Sequence, residues 1–411
     1  MSRDLRILRD LAKQYAEAAA QPIQDERRRL WADHFSLRTT RTPILITYGV
    51  WNVWCRETFG EKTLQCEDPF HRQYERELRM ELFHDSIGDD YILEPWISVG
   101  PVRSRGWGNV WGVEQKHRRP GVEGGAWKFD PPIKTWDDVK KLSAPPHEID
   151  EAASARNAAR LREIMDGILE VNVTRGPVCW NFLADISTDL AQLRDLEQLM
   201  IDMMESPREL HALLAFMRDG ILANQDAAEA AGDFSLTHSF NQAMPYCDEL
   251  PWPAPNLPGR RRKELWGFFA AQEFTSISPA MHDEFLLQYQ LPIIQRFGLI
   301  HYGCCEDLTR KIDMLRQIPN LRSIAVTPRA DVRHCAEQIR DQYVISWRPN
   351  PTDMIAFGFD RDKIQRIIRE GMEACRGGHV HLHLKDVETV SGDPGRLAEW
   401  TRLVREVTDA Y

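Results

Sequence analysis

The stretch HYGCCEDL, residues 301–308, sets His301, Cys304, Cys305 and Glu306 within six positions. Imidazole nitrogen, thiolate sulfur and carboxylate oxygen are the donors that zinc takes in a tetrahedron, with one position left open when the metal is catalytic. Adjacent cysteines at a strand end also pack well as small hydrophobes, and the spacing is not the C-x-x-C pair of structural zinc sites. Metal binding and packing therefore both stand as readings of this cluster. A second stretch, HVHLHLKD (379–386), puts His379, His381, His383 and Lys385 on one face of a strand and Val380, Leu382 and Leu384 on the other. His383, Lys385 and Asp386 lie nearest its carboxyl end and are acid–base candidates.

Other chemistry-bearing residues also follow apolar runs. These are Arg175 after LEVNVT, His238, Asn241 and Gln242 in FSLTHSFNQ, Gln272 and Glu273 in WGFFAAQEF, and Arg348 and Asn350 in ISWRPNP. Glu273 is the catalytic candidate among them; Arg175, His238, Asn241, Gln272, Arg348 and Asn350 are candidates for holding substrate. Trp51, Trp54, Trp96, Trp107, Trp111 and Trp127 crowd the first third of the chain. Aromatics at that density line pockets for flat organic molecules or anchor cores and loops, and Trp51 and Trp54 are the pair assigned to substrate. Cys247, in PYCDELP, sits beside two acids that oppose thiolate formation, which suits a loop or a substrate lid.

The elements needed to position these residues are strands alternating with helices. Leu5, Leu8, Leu11, Ala12 and Tyr15 recur at helical spacing, so residues 1–42 are expected to form a helical cover. PILITYGVWNVW (43–54) and DYILEPWISVG (90–100) read as strands. Residues 101–149 read as a loop-rich insertion containing a capped helix at 133–142. From 155 onward helices are expected near 155–167, 184–204, 207–231, 279–297, 306–318, 329–340, 360–375 and 393–410, with apolar strand-like runs between them. Repeated β-then-α units imply a parallel sheet. Eight or nine such strands favour an α/β fold of the TIM-barrel type, (β/α)8, over residues 43–411, with the site at the carboxyl ends of its strands.

Composition narrows the classes. A formal charge of −10 argues against a phosphate-backbone binder, and Arg260-Arg261-Arg262-Lys263 is too short a basic run to reverse that. No stretch approaches the ~18 apolar residues of a membrane span, and MSRDLRILRD lacks the apolar core of a signal peptide. Cytoplasmic localisation is expected, with the eight cysteines kept as thiols. No G-x-G-x-x-G follows a strand and no Walker loop is present.

From roughly residue 160 to the C-terminus, the order of elements resembles the uroporphyrinogen decarboxylase-like superfamily of α/β barrels. The resemblance is carried by TRGPVCW (174–180), AQEFTSISPAMHDEF (271–285), GLIHYGCCEDL (298–308), VISWRPNPTDM (344–354) and the histidine-containing strand before the last helix. True uroporphyrinogen decarboxylases hold substrate carboxylates with an N-terminal arginine-rich signature; PILITYGVWNVW has no arginine before Arg56. The chain is more similar to the cobalamin-dependent methyltransferase branch, whose barrels bind zinc through a His-x-Cys pair and a further cysteine near the C-terminus. Here His301 matches, Gly303 stands at the cysteine position with Cys304 and Cys305 just after it, and His383, Lys385 and Asp386 replace the C-terminal cysteine.

That resemblance implies a methyltransferase or demethylase passing a methyl group from a small substrate to a corrinoid, and the aromatic first third of the chain suits a methoxyaromatic one. It also implies a metal, zinc, held by His301, Cys304, Cys305 and Glu306. The chain has no Asp-x-His-x-x-Gly cobalamin motif, so a corrinoid carrier protein is the expected partner, and a homodimer is also compatible. The alternative is a metal-independent decarboxylase or lyase in which Arg175 and Arg348 clamp a carboxylate and a histidine returns the proton; a non-catalytic binding barrel is the third class.

Overall fold

The structure, a computed structural model, describes residues 2–47, 57–58, 60–118, 128–236, 244–356 and 358–411. Trp51, Trp54, Trp127, His238, Asn241 and Gln242 lie outside the described residues.

Six parallel strands form one sheet: β1 (Ile44–Ile46), β6 (Trp266–Phe269), β7 (Leu299–Tyr302), β8 (Leu321–Val326), β9 (Val344–Trp347) and β10 (His379–Leu384), in the order β1-β10-β9-β8-β7-β6. β2 (Trp96–Val99) and β5 (Glu170–Val173) form a separate parallel pair. The expected mixed α/β architecture with a parallel sheet is present, and among the described residues that sheet has six strands. In the insertion, β3 (Lys116–Arg118) and β4 (Lys128–Asp130) pair antiparallel. The capped helix expected there is a 3-10 helix, Trp136–Lys141, closed by a reciprocal Thr135–Asp138 capping box.

Strand alternation sorts the main sheet into two faces. Ile44, Ile46, Phe269, Ile300, Tyr302, Ile324, Val326, Ile345, Trp347, Val380, Leu382 and Leu384 share one apolar core with the covering helices. Helix Arg361–Ala374 presses so closely on Trp347 that a Cβ added at Gly371 would fall 1.9 Å from the indole. The opposite face carries Leu45, Trp266, Phe268, Leu299 and Val344 in a second apolar cluster. His301, Ser346, Arg348, His381, His383 and Lys385, all buried, stand toward the carboxyl ends.

The N-terminal cover is two helices, α1 (Arg3–Ala19) and α2 (Pro22–Phe35). Leu8, Leu11, Ala12 and Tyr15 are buried as their spacing requires, and Tyr15 donates to the Glu94 carbonyl at 2.9 Å. α2 does more than cover: its Trp31 packs edge-on against His381 and its Phe35 against Trp266, on the second face of the sheet.

Several helices are shorter than their sequence periodicity suggests, each for a local reason. The 184–204 segment is two helices, Ser187–Arg194 and Leu196–Glu205, broken at Asp195, whose φ is 77° and whose carboxylate caps Glu197. The 279–297 segment is interrupted by a π turn at Asp283–Leu287. In 306–318 only Ile312–Leu315 is α-helical, because the Asp307 carboxylate accepts from both the amide and the hydroxyl of Thr309, a local turn that competes with the helix. Among the described residues no helix is long and apolar enough to cross a membrane.

Candidate functional site

The HYGCCE stretch follows β7 directly. Gly303 turns the chain at φ 107°, where a Cβ would meet Ala325 Cβ at 2.8 Å and Leu308 Cδ1 at 2.9 Å. That turn presents Cys304 and Cys305 with their sulfurs 3.5 Å apart. Lys385, just past β10, reaches both, its Nζ 3.6 Å from Cys304 Sγ and 3.9 Å from Cys305 Sγ, and pairs with Asp386 at 2.9 Å. Asp386 holds a left-handed backbone, φ 58°, which aspartate tolerates better than most residues. Cys304, Cys305, Arg348, Lys385 and Asp386 line one cleft of about 190 Å³, so five sequence-selected residues from β7, β9 and β10 do come together.

The electrostatics of this cleft follow from burial. The sulfur–sulfur hydrogen bond and burial hold the Cys304 thiol well above its ordinary value, while the same bond lowers that of the more exposed Cys305. Burial disfavours the Lys385 ammonium, but Cys304 and Asp386 outweigh it and raise its pKa. Burial pushes the Arg348 guanidinium down, although arginine stays charged in proteins. Arg348 donates to the Cys304 carbonyl and, at 3.3 Å, to Nε2 of His301. Burial also drives His301, His381 and His383 far below their usual range, so these imidazoles are neutral.

Whether zinc fits is a question of free lone pairs. The His301 Nε2 lone pair faces Arg348. The two Glu306 oxygens each accept a 2.8 Å backbone hydrogen bond, from Ala271 and Cys304, so Glu306 braces the ends of β6 and β7. A lysine ammonium stands beside the sulfurs. The four residues as placed do not fit a zinc tetrahedron, and among the described residues no group of three or more His, Cys, Asp or Glu is arranged to hold a metal.

The strand histidines divide. His381 is spanned by His34 of α2 and by Ser346, at 2.9 Å each, which makes it part of the packed interior. His383 meets Thr47 at 2.6 Å and its Nδ1 has no hydrogen-bond partner among the described residues.

Glu273 and Gln272, after β6, line a different cleft of about 460 Å³ with Trp107, Phe129, Phe182 and Leu196. The Glu273 carboxyl accepts a 2.8 Å hydrogen bond from Ser187. Burial raises its pKa, against the opposing effect of that bond. Asp185, two residues before Ser187, is pushed far up by burial and by Glu273. Between them Ile186 holds φ 67° while fully buried, a conformation a β-branched residue adopts only when its surroundings impose it. Asp185, Ser187, Phe129 and Phe182 were not selected from the sequence, since the DISTD stretch reads as the start of an ordinary helix.

Two selected residues stand apart from both clefts. Arg175 is taken up by carboxylates, bidentate to Glu151 and at 2.5 Å to Asp233, which holds its pKa high. Asn350 is exposed and caps the turn after β9 by accepting from the Thr352 amide at 3.0 Å. Cys247 is buried, with burial pushing its thiol up to about 11.

No protein-family model matches this sequence, and no curated protein matches it. Among solved structures, a methyltransferase from Methanosarcina mazei is similar over 92% of this chain and 97% of that one, at 13% identity and a TM-score of 0.50. At that identity the likeness concerns the fold.

Proposed function

We propose that this protein is a methyltransferase that takes a methyl group from the ether oxygen of a small methoxyaromatic compound. The observation that carries the reading is Glu273, a carboxyl with a raised pKa on the wall of a cleft lined by Trp107, Phe129 and Phe182. An aromatic ether stacks on such walls. A departing phenolate needs its charge met, and a carboxyl whose pKa is raised by burial holds its proton to higher pH than an ordinary one and can donate it to that oxygen. Ser187 donates to Oε2 of Glu273 and so holds the carboxyl in place at the cleft wall. The fold likeness to a methyltransferase over nearly the whole chain supports the same class.

The methyl acceptor in this reading is a corrinoid on a carrier protein, whose reduced cobalt supplies the nucleophile when bound. No step is assigned to zinc. The reading includes a closed eight-stranded barrel over 43–411 beneath the 1–42 cover.

The second reading rests on Arg348 and Lys385, two cations lining the smaller cleft. They match a carboxylate, as a decarboxylase or lyase requires, with the Lys385 ammonium as proton donor.

The test incubates purified protein with reduced cobalamin and a panel of methoxybenzenes, following methylcobalamin by absorbance and the freed phenol by chromatography. Formation of both supports methyl transfer. Neither product across the panel sinks it, and carbon dioxide from carboxylated members of the panel selects the second reading.

A further inference from the structure

Cys304 and Cys305 lie 3.5 Å apart through their sulfurs, with the Lys385 ammonium within 4 Å of each. Cys66, Cys179, Cys247, Cys304, Cys335 and Cys375 are buried; among the described residues Cys305 is the exposed cysteine. One sulfur of the pair is thus open to reagents and the other waits behind it in direct contact. The Gly303 turn, which admits no Cβ, fixes the chain that carries both.

We propose that Cys304–Cys305 is a peroxide-oxidised dithiol, a modification site in which the exposed sulfur reacts first and the buried one resolves it. In the first step Cys305 sulfur attacks a hydroperoxide: an S–O bond forms, the O–O bond breaks, and an alcohol or water leaves after taking up a proton. In the second, Cys304 sulfur attacks the Cys305 sulfenic acid; the S–S bond forms, the S–O bond breaks and water leaves. The two thiols are oxidised by two electrons and the peroxide is reduced by two. Lys385 lies where it can support negative charge on either sulfur and hand a proton to the leaving oxygen.

The bond would be reversible. Neighbouring Cα atoms are ~3.8 Å apart across a trans peptide, below the ~4.4 Å lower limit of ordinary disulfides, so closure is strained and the product easily reduced. Because the pair lines the cleft with Arg348, Lys385 and Asp386, oxidation would also remove the thiol that Lys385 contacts there. This inference is independent of the methyl-transfer reading, since its readout is a mass.

The test exposes the whole chain to equimolar hydrogen peroxide, blocks remaining thiols with iodoacetamide and weighs the peptide spanning 301–308. The expected result is loss of two hydrogens with no alkylation of that peptide, restored to two alkylated cysteines by dithiothreitol. In Cys304→Ser the peptide should instead stop at a dimedone-reactive sulfenic acid on Cys305, and in Cys305→Ser it should stay unoxidised. Lys385→Met should slow the loss in the otherwise intact pair. Two alkylated cysteines after peroxide, or direct passage of Cys305 to sulfinic acid with Cys304 still alkylated, would overturn the proposal.

Discussion

Ser187 Oγ donates a 2.8 Å hydrogen bond to Glu273 Oε2 across 86 positions of sequence, joining the strained turn at Ile186 to the end of β6. Burial raises the Glu273 pKa, so the folded protein retains this proton at pH values where the unfolded chain has lost it. Stability from this group is complete below its ordinary value of 4.5 and is lost as pH rises through the raised one. Glu273→Gln keeps an acceptor for Ser187 but carries no transferable proton. We expect kcat for methyl transfer to fall ~10²-fold or more, with melting temperature unchanged at low pH and raised at alkaline pH. Wild-type kcat should itself decline as pH rises through the Glu273 value. A Gln variant with wild-type turnover would remove Glu273 from the chemistry.

Much of the smaller cleft was legible because its residues are neighbours in sequence. HYGCCE and HVHLHLKD each bring several groups to one strand end, and the period-2 alternation fixes the face on which they stand. Arg348 follows from the same rule on β9. The larger cleft was not legible: Glu273 could be selected as a strand-end acid, but its partner Ser187 and the aromatic wall at Phe129 and Phe182 come from distant segments. Arg175 shows the converse. Nothing local reveals that Asp233, 58 positions away, and Glu151 already hold its guanidinium. Helix lengths were overstated wherever a side chain satisfied the backbone locally, as Asp307 and Asp195 do, because apolar spacing does not register such competition.

His34 and His381 form a buried pair at 2.9 Å, linking α2 to β10 across 347 positions. Burial, and then the nearby His379, lower the His34 pKa from 6.5 to about 3. This depressed pKa gives stability that is present above pH 6.5 and lost as pH falls toward 3. Either single leucine replacement strands the other imidazole without its partner, at a cost of ~1–3 kcal/mol, whereas the double replacement should recover part of that cost. Urea titrations at neutral pH measure the cycle. Strictly additive losses would mean that the two rings do not depend on each other, and the double variant should also resist acid unfolding better than wild type.

Gly303 is required by both its backbone and its surroundings. At φ 107° a Cβ is strained, and it would lie 2.8 Å from Ala325 Cβ. Gly303→Ala is therefore expected to cost ~1–3 kcal/mol by overpacking and strain, and to displace Cys304 from Lys385. The second effect is separable from the first: the rate at which Cys305 is alkylated should change even at temperatures where the variant is fully folded. An alanine variant with unchanged melting temperature and unchanged alkylation would show that the turn can relax.

Asp189 gives a further pH dependence of stability. Its carboxylate is wholly enclosed, accepting from Trp111 Nε1 at 2.7 Å and more distantly from Gln115. Burial outweighs those donors and raises its pKa from 3.8 to about 6. Below pH 3.8 both folded and unfolded chains hold the proton; between 3.8 and about 6 only the folded chain holds it, so stability falls with rising pH through that window and then levels. The shift corresponds to about 3 kcal/mol between the two limits. Asp189→Asn, which still offers an oxygen to the Trp111 indole, should abolish this slope and be the more stable protein at neutral pH. If denaturant titrations at acid and neutral pH give the same stability difference between variant and wild type, the Asp189 charge is being met by a group other than Trp111 and Gln115.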